Sequence, residues 1–323
     1  MLGALHSTRF YEWTFEERRR KIVVKELRLF LDDYNSLEDI ESYLQNVSAT
    51  SDYATLRSIG KSVEGRDLWQ LKISVGSGKS SLWIDCNVHA REWISGATCL
   101  YGINLLIGSY GSDADVTAFL DAYDVYFIPI NNPDGYKFTW DEDRMWRKNR
   151  NKYPDTLCYG IDLNRNFDNH FGEAGSSDVP CAETYEGPSP ASEPETQANQ
   201  DAILELIDTA DLKILISVHS YSQLWMYPFG YTDELPPNND ELNRLTEIGV
   251  NALEAVYGTH YDYGPIDPAS GSSVDFAYDN GVVIGFAMEL RDTGEYGFLL
   301  PADQIAPTGK ETWAGIIASA LAA

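Results

Sequence analysis

Apolar and polar positions follow two distinct rhythms along this 323-residue chain. Short runs rich in Val, Ile, Leu and aromatic residues at 68–74, 81–88, 123–130, 212–218 and 282–290 predict strands. Between them, apolar residues return every three or four positions over 37–44, 93–107, 114–122, 193–210 and 239–256, which predicts helices. Ser192-Glu193-Pro194-Glu195 reads as a capping box with proline in the first turn, a start signal for the fourth of these helices. Strands alternating with helices imply an α/β sheet covered on both faces. Ligands of such sheets gather beyond the carboxyl ends of the strands. His89, His219 and Glu289 each fall at such an end.

Residues 1–33 break this rhythm. Glu16-Glu17-Arg18-Arg19-Arg20-Lys21 is followed by Ile22, Val23, Val24, Leu27, Leu29, Phe30 and Leu31, a pattern that predicts a helix-like extension. From Tyr34 onward there is no internal repeat, low-complexity segment or proline-rich linker, so 34–323 is expected to be a single domain.

Composition narrows the partners. With 43% hydrophobic residues the chain can bury one large core or two ordinary ones. A net charge of −26 repels nucleic acid and anionic membrane, so neither is expected as a partner. No apolar stretch approaches the length of a membrane-spanning helix. Cys86, Cys99, Cys158 and Cys181 allow three pairings, of which the sequential one, Cys86 with Cys99 and Cys158 with Cys181, closes short loops. Four reduced, buried thiols are the alternative. The even count and the acidic, tyrosine-rich surface favour an oxidising compartment. Residues 1–20 do not read as a signal peptide, because charged and aromatic residues interrupt any apolar stretch.

The strongest chemical signal is His89-Ala90-Arg91-Glu92 together with Val218-His219-Ser220-Tyr221. Two imidazole nitrogens and one carboxylate oxygen leave a coordination position on zinc for water, as catalytic sites require. His-x-x-Glu alone is a weak pattern. It gains weight from five further strings: Asn132-Pro133-Asp134-Gly135-Tyr136, Trp146-Arg147-Lys148, Asp162-Leu163-Asn164-Arg165-Asn166, His219-Ser220-Tyr221-Ser222-Gln223 and Glu289-Leu290-Arg291-Asp292-Thr293-Gly294. In this order, and with His89–Ile94, they resemble the zinc metallocarboxypeptidases of the pancreatic carboxypeptidase A/B family over residues 34–313.

The resemblance implies a central mixed eight-stranded twisted sheet flanked by helices, and one zinc ion held by His89, Glu92 and His219. Asp162 would orient His89 through its second ring nitrogen, unless it is simply a turn aspartate. Glu289 would act as general base and then acid, the competing reading being a strand-end carboxylate paired with Arg291. Arg147 would stabilise the oxyanion, while Arg144, Lys148 and Arg150 read as surface cations. Arg165, beside Asn164, would anchor a terminal carboxylate through paired hydrogen bonds. Arg91, Tyr221 and Phe298 would line the subsites upstream of the scissile bond.

Val274 stands where basic-specific members carry an acid, and Met226 and Ala287 near it are apolar. A Lys or Arg side chain would therefore be left unpaired, so large apolar and aromatic C-terminal residues are the expected substrates. One departure is Asp267, which occupies the place of a tyrosine that closes over the substrate carboxylate in the family. Weaker closure is the expectation, with Tyr263 as a candidate substitute. The family's pro-domain is about a hundred residues long, and 33 residues are too few for a folded inhibitory domain. Residues 14–33 are accordingly read as the remnant of its connecting helix.

The expected protein is a secreted, monomeric zinc exopeptidase acting on peptide and protein C-termini. A catalytically weak binder of C-termini, or a zinc amidohydrolase on small acylated amino acids, are the competing readings.

Overall fold

A computed structural model describes residues 31–154 and 156–323. The helix-like reading of residues 16–30, and all but the end of the proposed connecting-helix remnant, lie outside these described residues.

Helix α1 (Leu37–Thr50) starts where Ser36 accepts a hydrogen bond from Asp39 N, and it buries Leu37, Ile40, Tyr43, Leu44 and Val47. An antiparallel pair follows, β1 (Ala54–Lys61) and β2 (Asp67–Ile73), then the buried β3 (Ser80–Cys86). Helices α2 (Trp93–Ser109) and α3 (Ala114–Ala122) lead to β4 (Tyr123–Ile128) and α4 (Pro133–Asp141). A long excursion, tied by a 3-10 turn at Leu163–Arg165, precedes α5 (Pro194–Ala210) and β5 (Leu212–Ser220). The chain closes with β6 (Leu224–Tyr227), α6 (Asn239–Tyr257), β7 (Asp262–Pro265), α7 (Ser273–Asp279), β8 (Ile284–Leu290) and α8 (Ile305–Ala322).

All eight strands form one sheet in the order β1-β2-β4-β3-β5-β8-β6-β7. The four central strands β4, β3, β5 and β8 are mutually parallel, while β2 and β6 join them antiparallel on either side. The sheet is thus mixed and eight-stranded, as the resemblance implied. One face carries a large apolar cluster that includes Trp225 and Trp313, and the other a smaller one containing Trp83, Phe167, Val274 and Phe276. Helix α2 comes so close to Trp313 that a Cβ on Gly102 would lie 2.0 Å from the indole. Emptying the Trp313 site to alanine would cost about 3–5 kcal/mol.

Three strands and three helices were not evident from hydrophobic rhythm. Only Ala54 is buried along β1, so its sequence offers no apolar run. The edge strand β7 is Asp-Tyr-Gly-Pro, with three residues that β-strands disfavour. Helix α8 is rich in Ala, Gly and Thr and carries no clear apolar stripe.

The capping-box reading is corrected. The α5 N-cap is Glu193 rather than Ser192, and it makes no side-chain cap bond. Glu193 instead accepts from Asn149, Asn151, Tyr153 and Ser192, and Glu195 accepts from Val63 N. These carboxylates satisfy partners on neighbouring loops.

Both sequential disulfides, Cys86–Cys99 and Cys158–Cys181, are formed, which rules out the reduced-thiol alternative. Among the described residues, no helix is long and apolar enough to cross a membrane.

Candidate active site

The site lies at the carboxyl ends of β3, β5 and β8. Beyond Cys86 the chain turns sharply through Asn87, whose φ of 50° is left-handed. The Asn87 amide then donates to Glu92 O at 2.9 Å, folding residues 87–92 into a tight loop. Ala90 N donates to Arg147 O at 2.9 Å and attaches that loop to the next wall of the cleft. On β5, His219 is the register partner of Glu289 on β8.

Three donor atoms converge. His89 Nδ1 lies 2.9 Å from Glu92 Oε1, and His219 Nδ1 lies 3.1 Å from His89 Nδ1 and 3.2 Å from Glu92 Oε2. Ligand atoms of the three buried residues all fall within 4.8 Å of one another, the one such grouping among the described residues. Two facing imidazole nitrogens and a carboxylate cannot all be satisfied by protons on one centre, whereas a cation satisfies all three. The far nitrogens are already engaged. His89 Nε2 meets Asp162 Oδ1 at 3.0 Å, and His219 Nε2 meets Ser217 Oγ at 3.1 Å. Ser217 Oγ in turn donates to the buried Asp85 at 2.8 Å. Each ring thus presents Nδ1 to the metal position and rests its other nitrogen on a carboxylate, directly or through a hydroxyl. The donor set fits zinc.

Asp162 met its expectation as the partner of His89. The Ser217–Asp85 relay was missed, because two small polar residues inside apolar strand runs carry no motif.

The charges interlock. Burial pushes the Glu92 carboxyl up, but His89 and His219 outweigh it and hold it well below the usual carboxylate range. Asp162 is also buried, yet Arg147 and His89 hold it far below its ordinary value. Arg147 donates from Nη2 to Asp162 Oδ2 at 2.7 Å and from Nε to the same oxygen at 3.1 Å. Glu289 goes the other way: burial, then the Glu92 charge, raise it well above normal against the pull of His89, Arg147 and Arg165. Its Oε2 is shielded and has no hydrogen-bond partner among the described residues. Arg291 pairs with Glu311 instead, which removes the expected competitor for Glu289.

The remaining candidates surround this centre. Asn164 is oriented by its Oδ1, which accepts from Ser273 N, and its amide lies 3.5 Å from His219 Nε2. Arg165 donates to Gly175 O and to Asn164 O, and burial lowers its pKa. At the rim Arg91 lies 4.3 Å over the Phe298 ring, Phe298 meets Tyr221 edge-on at 4.9 Å, and Arg91 also pairs with Glu183. Val274 and Ala287 are buried in the smaller apolar cluster, with Met226 and Ile266 against it. Asp267 is exposed on the loop after β7, and Tyr263 is held in that strand opposite Trp225.

One sequence reading is overturned. Arg144, Lys148 and Arg150 are not ordinary surface cations. Lys148 is buried and donates to Pro180 O and Ala182 O, on either side of Cys181. Arg144 stacks on Trp93 and donates to Arg91 O and Phe298 O, and Arg150 stacks on Phe138. Each cation braces the cleft wall by packing its stem and satisfying carbonyls or aromatic faces, which sequence neighbours alone do not reveal.

A deep three-donor metal position and a shielded carboxylate at the strand ends, with two arginines from the loops around them, define a zinc-dependent hydrolase. The zinc carboxypeptidase sequence profile matches residues 40–315, and the chain belongs to that family. It is 43% identical to mouse (Mus musculus) carboxypeptidase A2 over 288 residues, 88% of this chain and 68% of that one. Carboxypeptidase A5 of Macaca fascicularis is 46% identical over 287 residues, 87% of this chain and 65% of its own. Among solved structures, bovine thrombin-activatable fibrinolysis inhibitor in complex with tick carboxypeptidase inhibitor superposes with a TM-score of 0.85 at 38% identity, covering 90% of this chain and 97% of that one. Carboxypeptidase A from Helicoverpa armigera gives 0.83 at 29% identity, covering 95% and 81%.

Proposed function

We propose that this zinc carboxypeptidase removes large apolar or aromatic residues from the C-termini of peptides and proteins, acting outside the cell as a monomer. The observation that carries the reading is the shielded, unpartnered Oε2 of Glu289 next to the His89–Glu92–His219 centre. When bound there, zinc would supply Lewis acidity and lower the pKa of an attacking water.

The chain's own groups account for the rest. Glu289 takes the proton of the attacking water at its carboxylate and returns it to the leaving amine nitrogen, and burial, which raises its pKa, makes it a stronger base. Arg147, held by Asp162, supplies a fixed cation for the developing oxyanion. Arg165 and Asn164 bind the terminal carboxylate, a requirement that limits the enzyme to chain ends. Arg91, Tyr221 and Phe298 form a wall for the residues preceding the scissile bond. Val274, Met226 and Ala287 offer the released side chain an apolar surface without a counter-charge, which supports apolar over basic specificity. Two disulfides support an oxidising, extracellular setting.

The test compares a peptide ending in free phenylalanine with its C-terminal amide. Rapid release from the free acid, slow release from the amide and loss of both on chelation are expected. Equal rates on the two substrates would overturn the exopeptidase reading and favour an amidohydrolase.

A further inference from the structure

Arg147 reaches Asp162 from a segment with no regular secondary structure, so something other than a sheet or helix must set their register. One side of that segment is tied to the metal loop through Ala90 N and Arg147 O, and to Asn132, whose amide donates to Lys148 O at 3.0 Å. The other side faces residues 160–162, and there the link is Asn149. Its backbone N donates to Ile161 O at 3.0 Å, and Ile161 N donates back to Asn149 Oδ1 at 2.8 Å. This is a two-bond rung in which a side-chain carbonyl replaces the main-chain one, which accepts from Trp146 Nε1 instead. Ile161 immediately precedes Asp162, and Arg147 lies two residues before Asn149.

The rung is itself braced. Asn149 Nδ2 donates to Glu193 Oε2 at 2.7 Å, and the same carboxylate accepts from Asn151, Tyr153 and Ser192. Asn149 and Glu193 are both fully buried. A neutral amide that must accept from one wall and donate to another has no isosteric replacement: aspartate keeps the acceptor but loses the donor and faces the Glu193 carboxylate.

We propose that Asn149, braced by Glu193, is a positioning residue that sets the Arg147 guanidinium against Asp162 and so at the reacting carbonyl. The inference rests on the oxyanion role proposed for Arg147. It makes a turnover effect, rather than a binding effect, the signature of losing Asn149.

The experiment is a double-mutant cycle on the zinc-loaded enzyme with Asn149→Ala, Arg147→Ala and the pair. Asn149→Ala is expected to lower kcat about tenfold, in the range for lost supporting partners, with KM and zinc stoichiometry little changed. In the Arg147→Ala background it should cost nothing further. Equal losses in both backgrounds, or a loss expressed in KM or zinc content, would overturn the inference. So would an unchanged kcat in Asn149→Ala while Arg147→Ala is impaired. If Arg147→Ala itself turns over normally, the oxyanion reading falls and the inference with it. Asn149→Ser, which keeps a hydroxyl acceptor but ends short of Glu193, covers the case in which alanine prevents folding. An intermediate loss, again absent without Arg147, is expected, and wild-type kcat would count against the brace.

Discussion

His219 and Glu289, 70 residues apart in sequence, are register partners on the adjacent parallel strands β5 and β8. Side chains on one rung of a sheet share a face, so the metal donor and the shielded carboxylate are held side by side by two paired strands in the middle of the sheet. Glu289→Gln removes the proton acceptor and leaves the donors intact. It should lower kcat by about 10²–10⁴-fold while zinc content, measured by elemental analysis, stays at one per chain. Loss of zinc together with activity would mean that Glu289 supports the metal instead.

Asp162 serves two partners, His89 through Oδ1 and Arg147 through Oδ2. Asp162→Asn weakens both, and the zinc affinity read by chelator competition should fall about 10–100-fold. Unchanged affinity would show that His89 needs no such support.

The apolar surface proposed to receive the released side chain makes a specificity prediction. Val274→Asp should introduce cleavage after Lys and Arg and weaken cleavage after Phe, measured as kcat/KM on peptides differing only in the last residue. Placing a carboxylate in this buried position should also lower the Tm. At the exposed Asp267, a tyrosine should lower KM if closure over the terminal carboxylate is what this position provides.

Glu195 links stability to pH. Burial raises its pKa from 4.5 to about 7 in the folded chain. Between these values the folded protein keeps a proton that the unfolded chain releases, so the stabilisation is complete below about pH 4.5 and disappears as the pH rises through 7. The effect is at most about 3 kcal/mol. Glu195→Gln cannot ionise, and its Tm should vary less between pH 5 and pH 8 than that of the wild type. Parallel Tm profiles would contradict the shift.

The Cys158–Cys181 bridge spans a separation of 23 residues in the excursion that carries Asp162 and Arg165. Replacing both cysteines should cost about 3 kcal/mol by loop-closure entropy. Chemical denaturation measures this directly, and a loss near zero would place the constraint in the Lys148 and Arg91 contacts to the same loop.

Local rhythm was enough to locate the central strands and five of the helices, because buried strands and amphipathic helices repeat within a few residues. The short or polar elements β1, β6 and β7, the short helices α4 and α7, and the terminal α8 were missed. Their stability comes from neighbours in the fold: β1 is held by pairing with β2, and Asp134 in α4 by Ser62 and Arg66. Motif strings brought His89, Glu92, His219, Asp162 and Glu289 forward, because each chemistry demands a particular side chain beside a particular turn or strand end. They could not show the Ser217–Asp85 relay or the burial of Lys148, since neither depends on sequence proximity.

By itself, then, the amino-acid sequence determined the α/β class through short-range periodicity and the metal donors through residue chemistry, while the family resemblance singled out Glu289 as the candidate carboxylate. Only the tertiary structure decided what each charge faces. It paired Arg291 with Glu311 and left Glu289 Oε2 without a partner among the described residues, placed Arg147 against Asp162 by way of Asn149, and took Glu195 from a capping role into a buried network. The reason is physical: a buried charge is set by whichever group lies within a few ångströms, and those neighbours come from segments that meet only when the sheet has formed.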